Sequence, residues 1–242
     1  MRARQHGEYL TQLTRFPRVF PVNCYLVRDG DGLTLIDAAI PGSAPAILAA
    51  ARRLGLAIRR IVLTHAHADH IGSADALRRL LPAAELLISA RDARFLEGDM
   101  TLDPGEPQAK LRGAYQRIAT RPTGLLHDGD RVGALEVVAS PGHTPGHIAL
   151  FDPRDGSLIA GDAFQTRAGL AVSGTLRPLF PFPAMATWHR PSALASARKL
   201  RALGPTRLAV GHGEVLEQPL AAIDGAIGET ERALGEGLHH GA

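Results

Sequence analysis

Four side chains able to bind a metal ion fall within six consecutive positions: His65, His67, Asp69 and His70, in the run Thr64-His65-Ala66-His67-Ala68-Asp69-His70. Imidazoles and carboxylates crowded together are costly to bury unless something positive ties them to one point, and this donor set suits zinc, manganese or iron. The run directly follows the apolar segment Ile61-Val62-Leu63, so it lies where a strand gives way to a turn. Histidines two apart emerge on the same side of an extended segment, and a turn after them swings Asp69 and His70 towards a neighbouring point. One loop can therefore serve two ions. Three later fragments repeat the theme, each where an apolar run ends in glycine: Ser140-Pro141-Gly142-His143-Thr144-Pro145-Gly146-His147, Ala160-Gly161-Asp162-Ala163 and Val210-Gly211-His212-Gly213. They add His143, Asp162 and His212 as candidate ligands. In a two-metal site a water shared between ions roughly 3.5 to 4 Å apart loses a proton near neutral pH, which supplies a nucleophile without serine or cysteine.

The order HxHxDH, then His, then Asp, then His resembles the metallo-β-lactamase superfamily of metallohydrolases, over a span from about Cys24 to His212. The resemblance implies an α/β fold, a four-layer αββα sandwich of two mixed β-sheets, as one domain over residues 1–242. It implies that His65, His67 and His143 hold one ion, that Asp69, His70 and His212 hold the second, and that Asp162 bridges them. Two divalent ions follow, zinc in first place with manganese or iron as alternatives. The implied reaction is attack of a bridging hydroxide on a carbonyl, with Asp69 as proton shuttle and Asp162 holding the pair of ions. Asp37, at the end of Leu35-Ile36-Asp37, matches an acidic position behind the metal loop, and His147 is expected to orient the groups around it.

The Pro-Gly-His-Thr-Pro-Gly-His fragment is most similar to the glyoxalase II and acyl-homoserine lactonase branches, so the expected substrate is a small ester, lactone or thioester. Two departures stand against a closer assignment. Only a short helix and tail follow His212, where glyoxalase II proteins carry a glutathione-holding region, and no tyrosine follows Tyr115, where the lactonases place one after the bridging aspartate. Class B β-lactamases fit less well, because Asp162 departs from their pattern. Nucleases of the superfamily add an insertion for which the interval from His143 to His212 leaves no room. The alternatives are a mononuclear-iron persulfide dioxygenase, a small-molecule phosphodiesterase, and a relative that binds without turnover.

The elements that must carry these residues are legible in outline. Asn23 to Arg28 and Leu33 to Asp37 read as an opening hairpin across Asp29-Gly30-Asp31-Gly32. Ser43 and Pro45 start a helix that Gly55 ends; strand Ile58 to Leu63 leads into the metal run; and helix Ser73 to Leu81 sits behind Asp69 and His70. Strand Leu86 to Ser89 and helix Asp92 to Leu96 follow. Gly98 to Gly124 has the punctuation of a mobile cover with a helical centre near Lys110 to Ile118. Strands Arg131 to Ala139, Ile148 to Asp152 and Ser157 to Ala160, helix Ser192 to Leu203, strand Arg207 to Val210 and a final helix Leu220 to Leu234 complete the pattern.

Composition narrows the partners. The 242 residues carry a formal net charge of +3, with 45% hydrophobic and 5% aromatic residues, enough apolar content for a real core. Arginines cluster on predicted helix faces without interleaved aromatics, so a small-molecule substrate is expected rather than nucleic acid. No apolar stretch approaches the roughly 18 residues of a membrane span, and the polar N-terminus shows no signal peptide, so a soluble cytoplasmic protein without membrane association is expected. The oligomeric state is not written in the sequence. Cys24, the only cysteine, reads as a core residue. His6, His127, His239 and His240 read as surface residues, and His189 as the start of a helix at Pro191-Ser192. Phe164, Leu179, Phe180, Phe182, Met185 and Trp188 form an apolar patch for which packing is favoured over a substrate wall.

Overall fold

The structure, a computed structural model, describes residues 1–239. The first half runs β1 (Arg2–His6), β2 (Leu10–Arg15), β3 (Val22–Asp29), β4 (Gly32–Ile36), α1 (Ala44–Arg53), β5 (Ile58–Leu63), α2 (Ala68–Ile71), α3 (Ala74–Leu80), β6 (Glu85–Ser89), α4 (Ala90–Glu97) and β7 (Gly124–Leu126). Its strands form one seven-stranded sheet in sequence order, antiparallel from β1 to β4 and parallel from β4 to β7. The second half runs β8 (Arg131–Val132), β9 (Leu135–Ala139), β10 (Ile148–Asp152), β11 (Ser157–Ile159), β12 (Phe164–Gln165), β13 (Ala171–Val172), α5 (Phe182–Met185), α6 (Arg190–Ala202), β14 (Arg207–Ala209), β15 (Leu216–Glu217) and α7 (Leu220–His239). Here the six-stranded sheet has the order β15-β14-β11-β10-β9-β8, with β11 and β14 parallel, and β12 pairs with β13 apart from it.

Both sheets are apolar on both faces, and the two-residue side-chain period of a strand divides each face cleanly. In the first sheet Tyr25, Val27, Ile36 and Val62 meet Val137, Ile148, Leu150 and Ile159 of the second, forming a core between the sheets. The alternate residues Cys24, Leu26, Leu35, Ile61 and Leu63 turn outwards beneath Ile47 of α1, Leu77 of α3 and Phe95 of α4. On the other side Val138, Ala149, Leu158 and Leu208 lie beneath Leu194 and Leu200 of α6 and Ile223 of α7. Three apolar interfaces separate four layers, helix-sheet-sheet-helix, as the resemblance implied.

Three expectations need correction, and one strand pair lies where the sequence reading places no element. The polar start of the chain is a strand pair, β1 and β2; β1 is largely exposed, so it lacks the apolar alternation that would reveal it. Arg131 to Ala139 is a hairpin of two short strands, because Gly133 takes φ +60 and reverses the chain. No helix forms near Lys110 to Ile118: Gly113 adopts φ +91, and the carbonyls of Arg112 and Ala114 bond to His67 and Ala68 instead of to their own segment. His6 is buried, with Nε2 3.3 Å from Gln12 Oε1. His127 is exposed as expected, and the side chain of His239 and all of His240 lie outside the described residues. Cys24 is fully buried. Among the described residues no helix is long and apolar enough to cross a membrane.

Candidate metal centre

All seven candidate residues converge at one edge of the sandwich, where strand ends from both sheets meet. His65 lies just beyond β5, His67 caps the four-residue helix α2 in extended conformation, and Asp69 and His70 occupy that helix. His143 comes from the β9–β10 connection, Asp162 from a tight turn after β11, and His212 from the loop after β14. Three overlapping groups have donor atoms within 4.8 Å of one another: His65, His67 and His143; His65, His70 and Asp162; and Asp69, His70 and His212. The middle group joins the outer two.

Each imidazole is held from behind by a group that fixes its tautomer. His65 Nδ1 donates to Thr64 Oγ1 at 3.0 Å, His70 Nδ1 to Asp37 Oδ2 at 2.7 Å, His143 Nδ1 to Ser173 Oγ at 2.9 Å and His212 Nδ1 to the Pro21 carbonyl at 2.7 Å. His67 is reversed and donates from Nε2 to the Arg112 carbonyl at 2.9 Å. In all five the remaining nitrogen faces the common space, and such rear hydrogen bonds are what orient metal-binding histidines. Inside that space His67 Nδ1 and His143 Nε2 stand 3.0 Å apart. Once each ring has given its N–H to its rear partner, these are two lone pairs facing each other. The buried atoms His65 Nε2, His70 Nε2 and Asp162 Oδ1 have no hydrogen-bond partner at all. Buried polar atoms are rarely orphaned, and a cation is the partner that lone pairs from five rings and two carboxylates share. The residues present fit a metal.

Charge within the cluster follows the same logic. Burial would raise the Asp162 carboxyl, but His212 and His70 outweigh it and hold it well below the usual carboxylate range. Burial likewise works against Asp69, and His70 with His212 brings it down. His212 would be depressed by burial, yet Asp162 and Asp69 carry it up to about 10. His70 is also raised, through Asp162, Asp37 and Asp69. His65 and His143, with more rings than carboxylates around them, are pushed down by burial and by their neighbours. Two ionised carboxylates in a dry pocket thus demand positive charge.

The supporting shell contains residues that the sequence reading reached and others that it missed. Asp37 accepts from Thr64 N and Oγ1 as well as from His70, and it adopts φ +61, a strained conformation for a residue other than glycine that recurs at functional sites. His147 accepts the Asp162 N–H at Nε2, 3.0 Å away, and its Nδ1 meets Ser140 Oγ, so it positions the turn that carries Asp162. Asp92 reads in the sequence only as part of a helix. It is fully buried and accepts from Ala66 N, Thr144 Oγ1 and Gly146 N, tying the His65–His70 run to the His143 loop, while burial pushes its carboxyl up to about 6. The Ser89-x-x-Asp92 spacing at the start of α4 was its only signal. Asn23, read as an ordinary strand residue, donates to the carbonyls of Val210 and Gly213 on either side of His212, both at 2.8 Å, and Gln12 Nε2 and Tyr25 Oη reach the same loop. His189 caps α6 through Ser192, as its helix-start reading expected, and is not among the cleft residues.

A cleft of about 360 Å³ opens over the cluster, lined by His67, Asp69, His143, Asp162 and His212 at its floor and by Phe20, Phe182, Pro183, Met185 and Ala186 on one wall. Gly113 and Ala114 form the opposite wall. The apolar patch therefore divides: Phe164, Phe180 and Trp188 are buried packing, whereas Phe182 and Met185 face the cleft.

A family model described as Metallo-beta-lactamase superfamily matches residues 17–212, a span that includes every residue of the cluster. The chain belongs to that superfamily. YobT of Bacillus subtilis (strain 168) is 47% identical over 96% of this chain and 100% of its own length. A hydroxyacylglutathione hydrolase of Legionella pneumophila (strain Corby) is 29% identical over 60% of this chain, which covers 49% of that enzyme. Among solved structures, TTHA1623 in a di-iron-bound form superposes with a TM-score of 0.63 at 28% identity, covering 87% of this chain and 96% of that one. In this superfamily member the sandwich places the His/Asp cluster at the sheet edge, on loops that the two cores hold from both sides.

Proposed function

We propose that this metal-dependent hydrolase binds two divalent ions and cleaves a small ester, lactone or thioester. One observation carries the reading: five imidazoles, each locked from behind, and two carboxylates direct unpartnered atoms into a single space beneath an apolar cleft. In this reading His65, His67 and His143 would hold one ion, Asp69, His70 and His212 would hold the other, and Asp162 would serve both. When bound, such ions would lower the pKa of a bound water to about 7 and polarise the carbonyl under attack.

The chain's own residues do the rest. Asp69 is the carboxylate of the cluster more open to the cleft, 27% exposed against 3% for Asp162, and from that position it takes the proton that the attacking water loses and returns it to the departing alkoxide or thiolate. Asp162, fully buried and fixed through His147, keeps the two halves of the cluster in register. The Phe20 and Phe182 wall excludes bulk water from the floor, where low dielectric strengthens every charge interaction. Zinc leads the metal assignment and iron or manganese follows; the di-iron form of TTHA1623 keeps iron in view.

Elemental mass spectrometry on protein purified without added metal tests the assignment. Two zinc, manganese or iron ions per chain, lost together with ester turnover in Asp162→Ala, is the expected result. Unchanged hydrolysis in that variant would overturn it. One iron per chain, with oxygen consumed on persulfide addition, would replace hydrolysis by sulfur oxidation.

A further inference from the structure

Beyond the cluster itself, the cleft offers a substrate almost nothing polar. Among the described residues lining it, the only side chains bearing charge or hydrogen-bonding groups are His67, Asp69, His143, Asp162 and His212; there is no lysine, arginine, serine, threonine, asparagine or tyrosine. The rest is Phe20, Phe182, Pro183, Met185 and small residues. Large apolar side chains left in water mark sites that something apolar covers, and here Phe182 is 53% and Met185 63% exposed. The wall is also braced. Phe20 packs against Phe182, Phe180 and His212 with ring centroids 5.1, 5.2 and 5.2 Å apart, and Phe180 beneath is 2% exposed. An apolar surface thus rises continuously from a candidate metal ligand to the mouth of the cleft. Away from the cluster, the described lining holds no lysine or arginine to receive a carboxylate carried by the part of the substrate remote from the bond that breaks.

We propose that the substrate is a neutral acyl ester, lactone or thioester whose hydrocarbon chain of several methylenes lies along Phe20, Phe182 and Met185, and that glutathione thioesters, with their two free carboxylates, are poor substrates. The assignment rests on the hydrolase reading above. In the reaction, water adds to the acyl carbon, the acyl–oxygen or acyl–sulfur bond breaks, and the alcohol or thiol leaves with a proton as the acid is released. Full burial of a methylene is worth about a fourfold gain, and a half-open wall delivers roughly twofold per methylene.

The experiment uses the zinc-reconstituted full chain with butanoyl and octanoyl p-nitrophenyl esters, the matching N-acetylcysteamine thioesters and S-lactoylglutathione. Octanoyl substrates should exceed butanoyl ones about tenfold or more in kcat/KM, chiefly through KM, and S-lactoylglutathione should trail both. Met185→Ser should reduce the gain per methylene. Calorimetric binding of butanamide and octanamide supplies a readout that needs no turnover, and octanamide should bind more tightly. Turnover that is flat in chain length, or best with the glutathione thioester, overturns the chain-binding assignment and leaves the hydrolase reading standing. No turnover of any ester or thioester, with octanamide still bound more tightly, overturns the hydrolase reading and supports the apolar wall. Equal binding of both amides with no turnover overturns both.

Discussion

Replacing Gly211 with alanine would place one methyl group against the carboxylate proposed to join the two ions. Gly211 lies next to His212, and its backbone is outside the left-handed region, so alanine meets no conformational penalty of its own. The obstacle is space: a Cβ there falls 2.0 Å from Asp162 Oδ1 and 2.7 Å from His70 Cε1. Ordinary contact begins near 3.4 Å, so the carboxylate or the loop must retreat by roughly 1.4 Å. The loop is poorly placed to yield, because Gly211 N donates to the Gly161 carbonyl at 2.8 Å and the Gly211 carbonyl accepts from Asn23 N at 2.9 Å. The Asp162 carboxylate must therefore rotate away. Overpacking of this kind costs about 1–3 kcal/mol, a fall in Tm of roughly 2–12 °C for a chain of this size. An ångström of misplacement at a reacting centre costs on the order of a hundredfold in rate. Ester turnover, metal content and a thermal melt measured side by side check all three, with Gly225→Ala in α7 as a control, since nothing lies within 4 Å of a Cβ there. If Gly211→Ala keeps both ions and full turnover, Asp162 does not act as the shared carboxylate.

Other perturbations follow from the supporting shell. Asn23→Leu removes one donor each from the Val210 and Gly213 carbonyls, which keep Tyr25 Oη and Gln12 Nε2; at about 0.5–1.5 kcal/mol for each lost bond, the melting temperature should drop by roughly 2–12 °C, and metal affinity should weaken with the His212 loop. Equal melting of variant and wild type would show that the loop is held by other means. His147, pushed down to about 3 by burial, accepts a backbone N–H only while neutral. Its folded pKa lies below the unfolded value, so the stability it contributes is fully present above about pH 6.5 and is lost progressively as pH falls from there to about 3. Denaturant midpoints measured from pH 7 to 4 should decline less steeply in His147→Gln, by up to about 1.4 kcal/mol per pH unit; superimposable slopes would contradict the assignment.

The sequence revealed the site more fully than its surroundings, for a physical reason. A residue that meets the cluster directly must supply a lone pair, which restricts it to a few types, and strand-end glycines mark where it sits; His65, Asp162 and His212 were recognisable on those grounds. A supporting residue needs only a hydrogen bond of the right direction, and many residue types in many places supply one. Asn23 and Asp92 therefore read as strand and helix filler, and the partners of His67 and His212 are main-chain carbonyls of Arg112 and Pro21, which no side chain announces. The two sheets were legible because their strands alternate between two apolar faces. The segment from Gly98 to Gly124 was not, because its backbone bonds to scattered distant partners, the Arg112 and Ala114 carbonyls to the His67–Ala68 turn and the amides of Ile118, Ala119 and Thr120 to Leu96 and Asp75, which leave no local periodicity.

The hold of Asn23, Gln12 and Tyr25 on the Val210–Gly213 loop sets when the site can come into being. Those hydrogen bonds span 185 to 201 residues of sequence, so His212 reaches its place only after the chain has closed a loop of that size, and loop closure of that range is slow. On the ribosome the His65–His70 run emerges long before its last partner, as a loose chelator with only part of its donor set. A full donor set is thereby deferred until the segment carrying His212 has been made and placed, and the completed site reports that both sheets have met.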